Sequence, residues 1–201
     1  SLDIGVHLAH RLRYLVGEIE TMTAVARIIE PVRVRRDANG SVIDRVEADA
    51  DDAFFALPEF ANGAAGTLTF TWAGHGEPTS LPGGVTLYGS RGCLKGSLLI
   101  RDDGSRENVE DIFAREAAPE VKEALFPRGV TDAFALAYLD WMNAIRSGTQ
   151  SETDGREGVR DLATAYAIME AATARRPVAV ADVLNGTVDA YQREINTHYG
   201  L

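Results

Sequence analysis

Apolar and polar positions follow two different periods along this chain, and the changes of period mark its elements. At the start, Ile4, His7, Leu8, Arg11, Leu12 and Leu15 recur at helical spacing, which predicts a helix that Gly17 ends. Met22 to Ile29 is rich in β-branched and small residues, Pro31 interrupts it, and Val32-Arg33-Val34-Arg35 alternates. Asp37-Ala38-Asn39-Gly40 reads as a turn. Ala53 to Phe60 predicts a strand, and Asn62-Gly63 a hairpin turn after it. In the next strand Leu68, Phe70 and Trp72 fall on one face, Thr67, Thr69 and Thr71 on the other. The first face is expected in the core. The threonine face either meets water or packs on another subunit.

A further hairpin is expected from Val85 to Tyr88 and Cys93 to Arg101, turning at Gly89-Ser90-Arg91-Gly92 and closed by Asp102-Asp103-Gly104. The rest reads as helical. Thr131 or Asp132 can cap a helix that buries Phe134, Tyr138, Trp141, Met142 and Ile145, and Gly148 stops it. Asp154 can cap a second, with Val159, Leu162, Ala163, Tyr166 and Met169 on one stripe and Pro177 beyond its end. A short strand at Val178/Val180 and a terminal helix around Val188, Tyr191 and Ile195 follow. Strands clustered between helices and joined by hairpin turns predict an α+β fold with an open, mainly antiparallel sheet.

Composition narrows the function. With 201 residues, 45% hydrophobic and 25% charged, the chain suits one globular domain. Lys and Arg number 20 against 30 Asp and Glu, a formal charge of −10 that repels nucleic acid phosphates and anionic lipids. No apolar run is long enough to span a bilayer, and no secretory leader precedes the first helix. The single cysteine, Cys93, forms no internal disulfide framework and suits a reducing cytoplasm, where it packs as a small hydrophobe. No nucleic-acid or membrane partner is expected.

Recognisable phosphate chemistry is missing. The one close Gly-x-Gly, Gly74-His75-Gly76, has Thr79 where a dinucleotide fingerprint needs its third glycine, and no Walker, H-E-x-x-H, Cys-x-x-Cys or G-x-S-x-G motif occurs. One polar constellation stands out. In Asp3-Ile4-Gly5-Val6-His7 the carboxylate and imidazole share a helix face, with His10 one turn on. A carboxylate beside a histidine favours its protonated form and orients it, as a general acid/base for alcohol–carbonyl interconversion requires. The same spacing also fits an N-terminal Asp serving the helix dipole beside two half-buried histidines, or a metal site of Asp3, His7 and His10. Trp72 and Trp141 read as core by their periodicity, His198 as part of a fraying end. His75, in a Gly-rich loop after the clearest strand, can reach a ligand.

Taken together with Arg13-Tyr14-Leu15-Val16-Gly17-Glu18-Ile19, the Asp3–His7 segment resembles the D-x-G-x-H…R-x-L-x-G-E-x run that begins the catalytic domain of the Gfo/Idh/MocA oxidoreductases. Asp52 to Leu57 and Glu59 to Gly66 resemble that family's strand-turn-strand, and Leu87 to Leu94 its next hairpin. Trp141 to Gly148 and Asp154 to Val159 resemble its closing helices.

The resemblance implies helices on one face of the sheet and a second subunit on the other, in a homodimer or tetramer. It implies residues 1–201 as a single C-terminal, substrate-binding domain, with a dinucleotide-binding Rossmann domain outside this chain. The implied activity is NAD- or NADP-dependent oxidation or reduction of a sugar, inositol or related polyol. By position, the catalytic roles carry over to Asp3 and His7, while the family's lysine belongs to the other domain. His10 stands where many relatives have an acidic residue, and with His75 it is a candidate substrate contact. No cofactor-binding or metal-binding residue is expected here. The alternative is a non-catalytic assembly or ligand-binding module of the same fold.

Overall fold

The computed structural model describes residues 2–74 and 84–201. The chain opens with α1 (Leu2–Val16), β1 (Ile19–Arg27), β2 (Val32–Arg36), β3 (Val42–Glu47), β4 (Ala53–Phe60) and β5 (Leu68–Thr71). Then come β6 (Thr86–Gly89), β7 (Gly92–Lys95), β8 (Leu98–Arg101), β9 (Arg106–Asn108), α2 (Val109–Glu116), α3 (Pro119–Leu125) and α4 (Ala133–Ser147). The chain closes with α5 (Gly155–Ala174), β10 (Val178–Ala179), α6 (Val180–Leu184) and α7 (Arg193–Tyr199). Among the described residues every strand pairing is antiparallel and the sheets are open, an α+β arrangement.

The fold divides into two compact units, one of residues 1–81 with 155–201, the other of residues 82–154. The first holds a sheet in the order β10-β1-β4-β5 with α5 packed on β1 and α1 packed along α5. Strict alternation along β4 turns Phe54, Ala56 and Phe60 inward, where they meet Met22, Leu68, Phe70, Ile168 and Val178. The opposite face stays open: Val25, Phe55 and Leu57 are exposed, and Thr69 and Thr71 lie half-buried beside them.

Two polar fixtures hold this unit. Asp52, 2% exposed, accepts from the backbone N–H groups of Ile29 and Glu30 at 2.7 and 2.9 Å and from Arg33 at 3.0 Å, tying the foot of the β2–β3 hairpin to β4. Burial alone would push the Asp52 carboxyl up, but those two N–H groups and the Arg33 cation outweigh it and hold it below the ordinary range. The fully buried Glu170 accepts from Tyr191 N at 2.8 Å and Gln192 N at 3.1 Å, clamping the C-terminal segment to α5.

In the second unit β6, β7, β8 and β9 form a meander. The stretch Cys93 to Arg101, read above as one strand, is two, because Gly96 at φ +60° turns the chain back. Asn108 caps α2 by accepting from Glu110 N at 2.9 Å. Asp132 caps α4 by accepting from Ala135 N at 2.8 Å, and Gly148 ends that helix in the left-handed region.

Burial departs from expectation in four places. Phe134, Tyr138, Trp141, Met142 and Ile145 on α4 are exposed rather than buried, since a periodic stripe reveals an amphipathic face and not its partner. Trp72 lies past the end of β5 and is 43% exposed, its ring set edge-on to Phe70 at 5.2 Å. On α5, Val159 and Leu162 are exposed while the small Ala165, Ala167 and Ala171 are buried. On α1, Leu15 is exposed and Arg13 takes an inward position. At the C-terminus Val180 begins α6 instead of extending the strand, and the last helix starts after Val188 and Tyr191.

Candidate active site

The inner side of α1 seats the helix and leaves the other side for chemistry. Gly5 and Ala9 are buried, and Ile4, Leu8, Leu12 and Val16 pack against the core. At Gly5 the fit is close, for a Cβ added there would lie 3.4 Å from the Cβ of Ala165 on α5. The C-terminal end is held by the hairpin turn between β4 and β5, where Asn62 Nδ2 donates to the Val16 carbonyl at 2.7 Å. That bond satisfies one of the last carbonyls of α1 and anchors the helix to the sheet.

Asp3 and His7 lie one turn apart on the exposed side, as their spacing requires. Among the described residues no hydrogen bond or ion pair joins the two. His10 sits between that stripe and α5. Its Nδ1 lies 2.8 Å from Oδ2 of Asp161, and its side chain remains 44% exposed. Asp3, His7 and His10 do not converge as metal ligands, and among the described residues no group of three His, Cys, Asp or Glu side chains does. His75 lies outside the described residues.

One turn beyond His10 lies a charge cluster that sequence reasoning missed. Arg13, 9% exposed, is its hub. Its Nε and Nη2 grip the two carboxylate oxygens of Glu18 at 3.0 and 2.8 Å. Nη2 also reaches Oε2 of Glu157 at 2.7 Å, while Nη1 donates to Oδ1 of Asp161 at 2.5 Å. The hydrogen bonds to Glu18 foremost, with those to Asp161 and Glu157, outweigh the cost of burial and raise the Arg13 guanidinium further above its ordinary value. Its hydrogen bonds in turn hold the Glu18 carboxyl below its ordinary range. The one signal in the sequence was a cation on the apolar side of α1; Glu157 and Asp161, 144 and 148 residues away, could not be paired with it from spacing.

The arrangement is therefore an exposed carboxylate–imidazole stripe on a helix fixed at both ends, with a second histidine hydrogen-bonded to a buried carboxylate. It offers proton transfer and hydroxyl recognition.

Residues 1–180 match the family model described as "Oxidoreductase family, C-terminal alpha/beta domain" of the Gfo/Idh/MocA group. A levoglucosan dehydrogenase of Pseudarthrobacter phenanthrenivorans is 24% identical over 192 residues, covering 85% of this chain and 48% of its own length. The chain thus spans about half the length of that curated relative. Among solved structures, an oxidoreductase domain protein from Kribbella flavida superposes with a TM-score of 0.67 at 19% identity, over 89% of this chain and 50% of its own. A levoglucosan dehydrogenase in complex with NADH and L-sorbose gives 0.61 at 24% identity, over 90% and 50%. These likenesses bear out the fold described above.

Proposed function

The chain belongs to the Gfo/Idh/MocA oxidoreductases, of which it carries the C-terminal alpha/beta domain, and on that basis we propose that it forms the substrate side of an NAD(P)-dependent dehydrogenase for a sugar, inositol or related polyol. The observation that carries this reading is the exposed Asp3–His7 stripe on a helix whose other side is firmly seated. The relatives support it: a structural neighbour was solved with NADH and L-sorbose, another with NADH and levoglucosan.

When bound, the nicotinamide supplies the acceptor for the hydride of the alcohol carbon. The residues here have acid/base and hydrogen-bonding character, which fits the substrate half of such a site. The nucleotide-binding half, with its lysine, belongs to a Rossmann domain outside residues 1–201. His7 takes the hydroxyl proton as the alcohol becomes a carbonyl, and Asp3, one turn away on the same exposed side of α1, is placed to orient the imidazole once substrate is bound.

The open sheet face supplies the assembly surface. Val25, Phe55 and Leu57 form an exposed apolar strip flanked by Thr69 and Thr71, a self-complementary surface for a second copy in a homodimer or tetramer. Among the described residues no helix is long and apolar enough to cross a membrane. A single cysteine fits a cytoplasmic enzyme.

The test is Asp3→Asn and His7→Ala in a protein carrying both domains. Each should slow hydride transfer by about 10²- to 10⁴-fold, the usual contribution of a positioned acid/base. Unchanged rates in both variants would sink the assignment.

A further inference from the structure

The proton-transfer stripe leaves one buried carboxylate without a role. Asp161 belongs to α5, not to the helix of Asp3 and His7, and its side chain is 7% exposed. Its oxygens are divided between two partners. Oδ1 accepts from Arg13 Nη1 at 2.5 Å, and Oδ2 meets His10 Nδ1 at 2.8 Å. An ionised carboxylate only accepts, so the His10 nitrogen facing it carries the hydrogen. The neutral ring is then left with its lone pair on Nε2.

Arg13 keeps this geometry rigid. The same guanidinium is gripped by Glu18 and Glu157, which fixes the donor that Oδ1 of Asp161 meets, so Oδ2 faces His10 as long as that bond is kept. His10 lies three residues after His7, and side chains at that spacing are neighbours on a helix surface. Asp161 on α5 is the group that meets the His10 ring, and Arg13 and Glu157 stand behind it in the same charge cluster.

We propose that Asp161 is a positioning residue that holds His10 in its Nδ1–H form, presenting Nε2 as a hydrogen-bond acceptor beside His7 for a second substrate hydroxyl. The inference rests on the dehydrogenase reading and adds to it a contact for a second hydroxyl of the polyol. A hydroxyl donates to that lone pair, whereas a carboxylate or phosphate offers it no hydrogen. No bond forms or breaks at His10.

Asp161→Asn separates this role from simple helix pairing. The amide oxygen can keep Arg13, which turns the NH₂ towards His10. Nδ1 must then accept, and the hydrogen moves to Nε2. The first readout is side-chain ¹⁵N NMR of the 201-residue chain at a pH where His10 is neutral. The unsubstituted chain should show Nδ1 protonated and Nε2 bare, and Asp161→Asn should reverse them. The second readout is cofactor reduction by the two-domain protein with vicinal polyols and their monodeoxy analogues. Asp161→Asn should raise KM for the polyol by about three- to tenfold, the worth of one hydrogen bond, with kcat changed less than about twofold and the analogue little affected.

His10→Leu should do the same and leaves Asp161 its bond to Arg13, which covers a failure of Asp161→Asn to fold; His10→Gln, whose amide oxygen accepts, should restore part of the affinity. A bare Nδ1 on His10 in the unsubstituted chain would overturn the proposal. So would a KM that rises equally for polyol and analogue. If the unsubstituted two-domain protein reduces its cofactor with none of the polyols, the dehydrogenase reading itself falls, and the substrate class with it. The NMR result is independent of that failure.

Discussion

Gly5 and Ala165 meet where the site helix crosses α5: a Cβ built on Gly5 would stand 3.4 Å from the Ala165 methyl. The distance is ordinary van der Waals contact, so one methyl fits and a larger group does not. Gly5→Ala should be neutral or stabilising by up to about 1 kcal/mol, because alanine loses less backbone entropy in a helix. Gly5→Leu should cost about 1–3 kcal/mol by prising α1 from α5. Denaturant midpoints of the two variants check both signs.

Removing Arg13 should reach further than its size. Arg13→Ala strands Asp161, buried with only His10 left to it, and releases Glu18 and Glu157. The expected loss is about 2–3 kcal/mol, less than that of a fully buried pair because Glu18 and Glu157 still reach water. Arg13→Lys should recover only part of it, since an ammonium cannot reproduce the planar fork. Urea unfolding gives both numbers.

Asp52 should shape the acid limb of stability. Its carboxyl is depressed in the folded state, so its contribution is present above the unfolded value near 3.8 and is lost as pH falls through the lower folded value. Urea midpoints at pH 6 and pH 3 should therefore converge more for Asp52→Asn than for the unsubstituted chain. Equal acid sensitivity in the two would show that the bonds to Ile29 and Glu30 carry no such linkage.

Much of this architecture was legible from spacing. The strand Ala53–Phe60 emerged with its boundaries intact because its alternation is strict and Asn62-Gly63 closes it. The helix caps at Asp132 and Gly148 were equally plain, since local chemistry alone sets them. What periodicity could not supply was the identity of a partner. It placed Trp141 in a core because an apolar stripe says only that something covers it, and it passed over Arg13 because the carboxylates are far along the chain. The small residues of α5 were undervalued for the opposite reason: their burial reflects how closely two helices approach, not how much apolar surface each brings. Asp3, His7 and His10 were visible as a stripe, but the buried Asp161 behind His10 was not.

The open sheet face makes a separate prediction. Thr69→Arg or Phe55→Arg should split the expected oligomer without unfolding the chain, since both side chains lie off the inner core. Sedimentation velocity with a far-UV spectrum tests both halves of that statement. An oligomer that survives both substitutions would move the contact elsewhere.

Glu170 offers a local measurement. Glu170→Ala leaves the Tyr191 and Gln192 N–H groups without their acceptor, and the expected cost is about 1–3 kcal/mol. Hydrogen exchange should quicken first in residues 185–201, before the sheet is affected.

The first unit is written in two pieces, residues 1–81 and 155–201, with the second unit spliced between them. During synthesis, therefore, the helix bearing Asp3 and His7 emerges from the ribosome long before its seat on α5 exists. Until residues 155–174 appear, α1 has no Ala165 to rest on and Arg13 lacks two of its three carboxylates. The meander of β6 to β9, whose contacts are local in sequence, has everything it needs much sooner. The proposed chemistry thus sits on α1 but is supported only once α5 is made, and a truncation between the two would leave the site helix as an unsupported amphipathic segment.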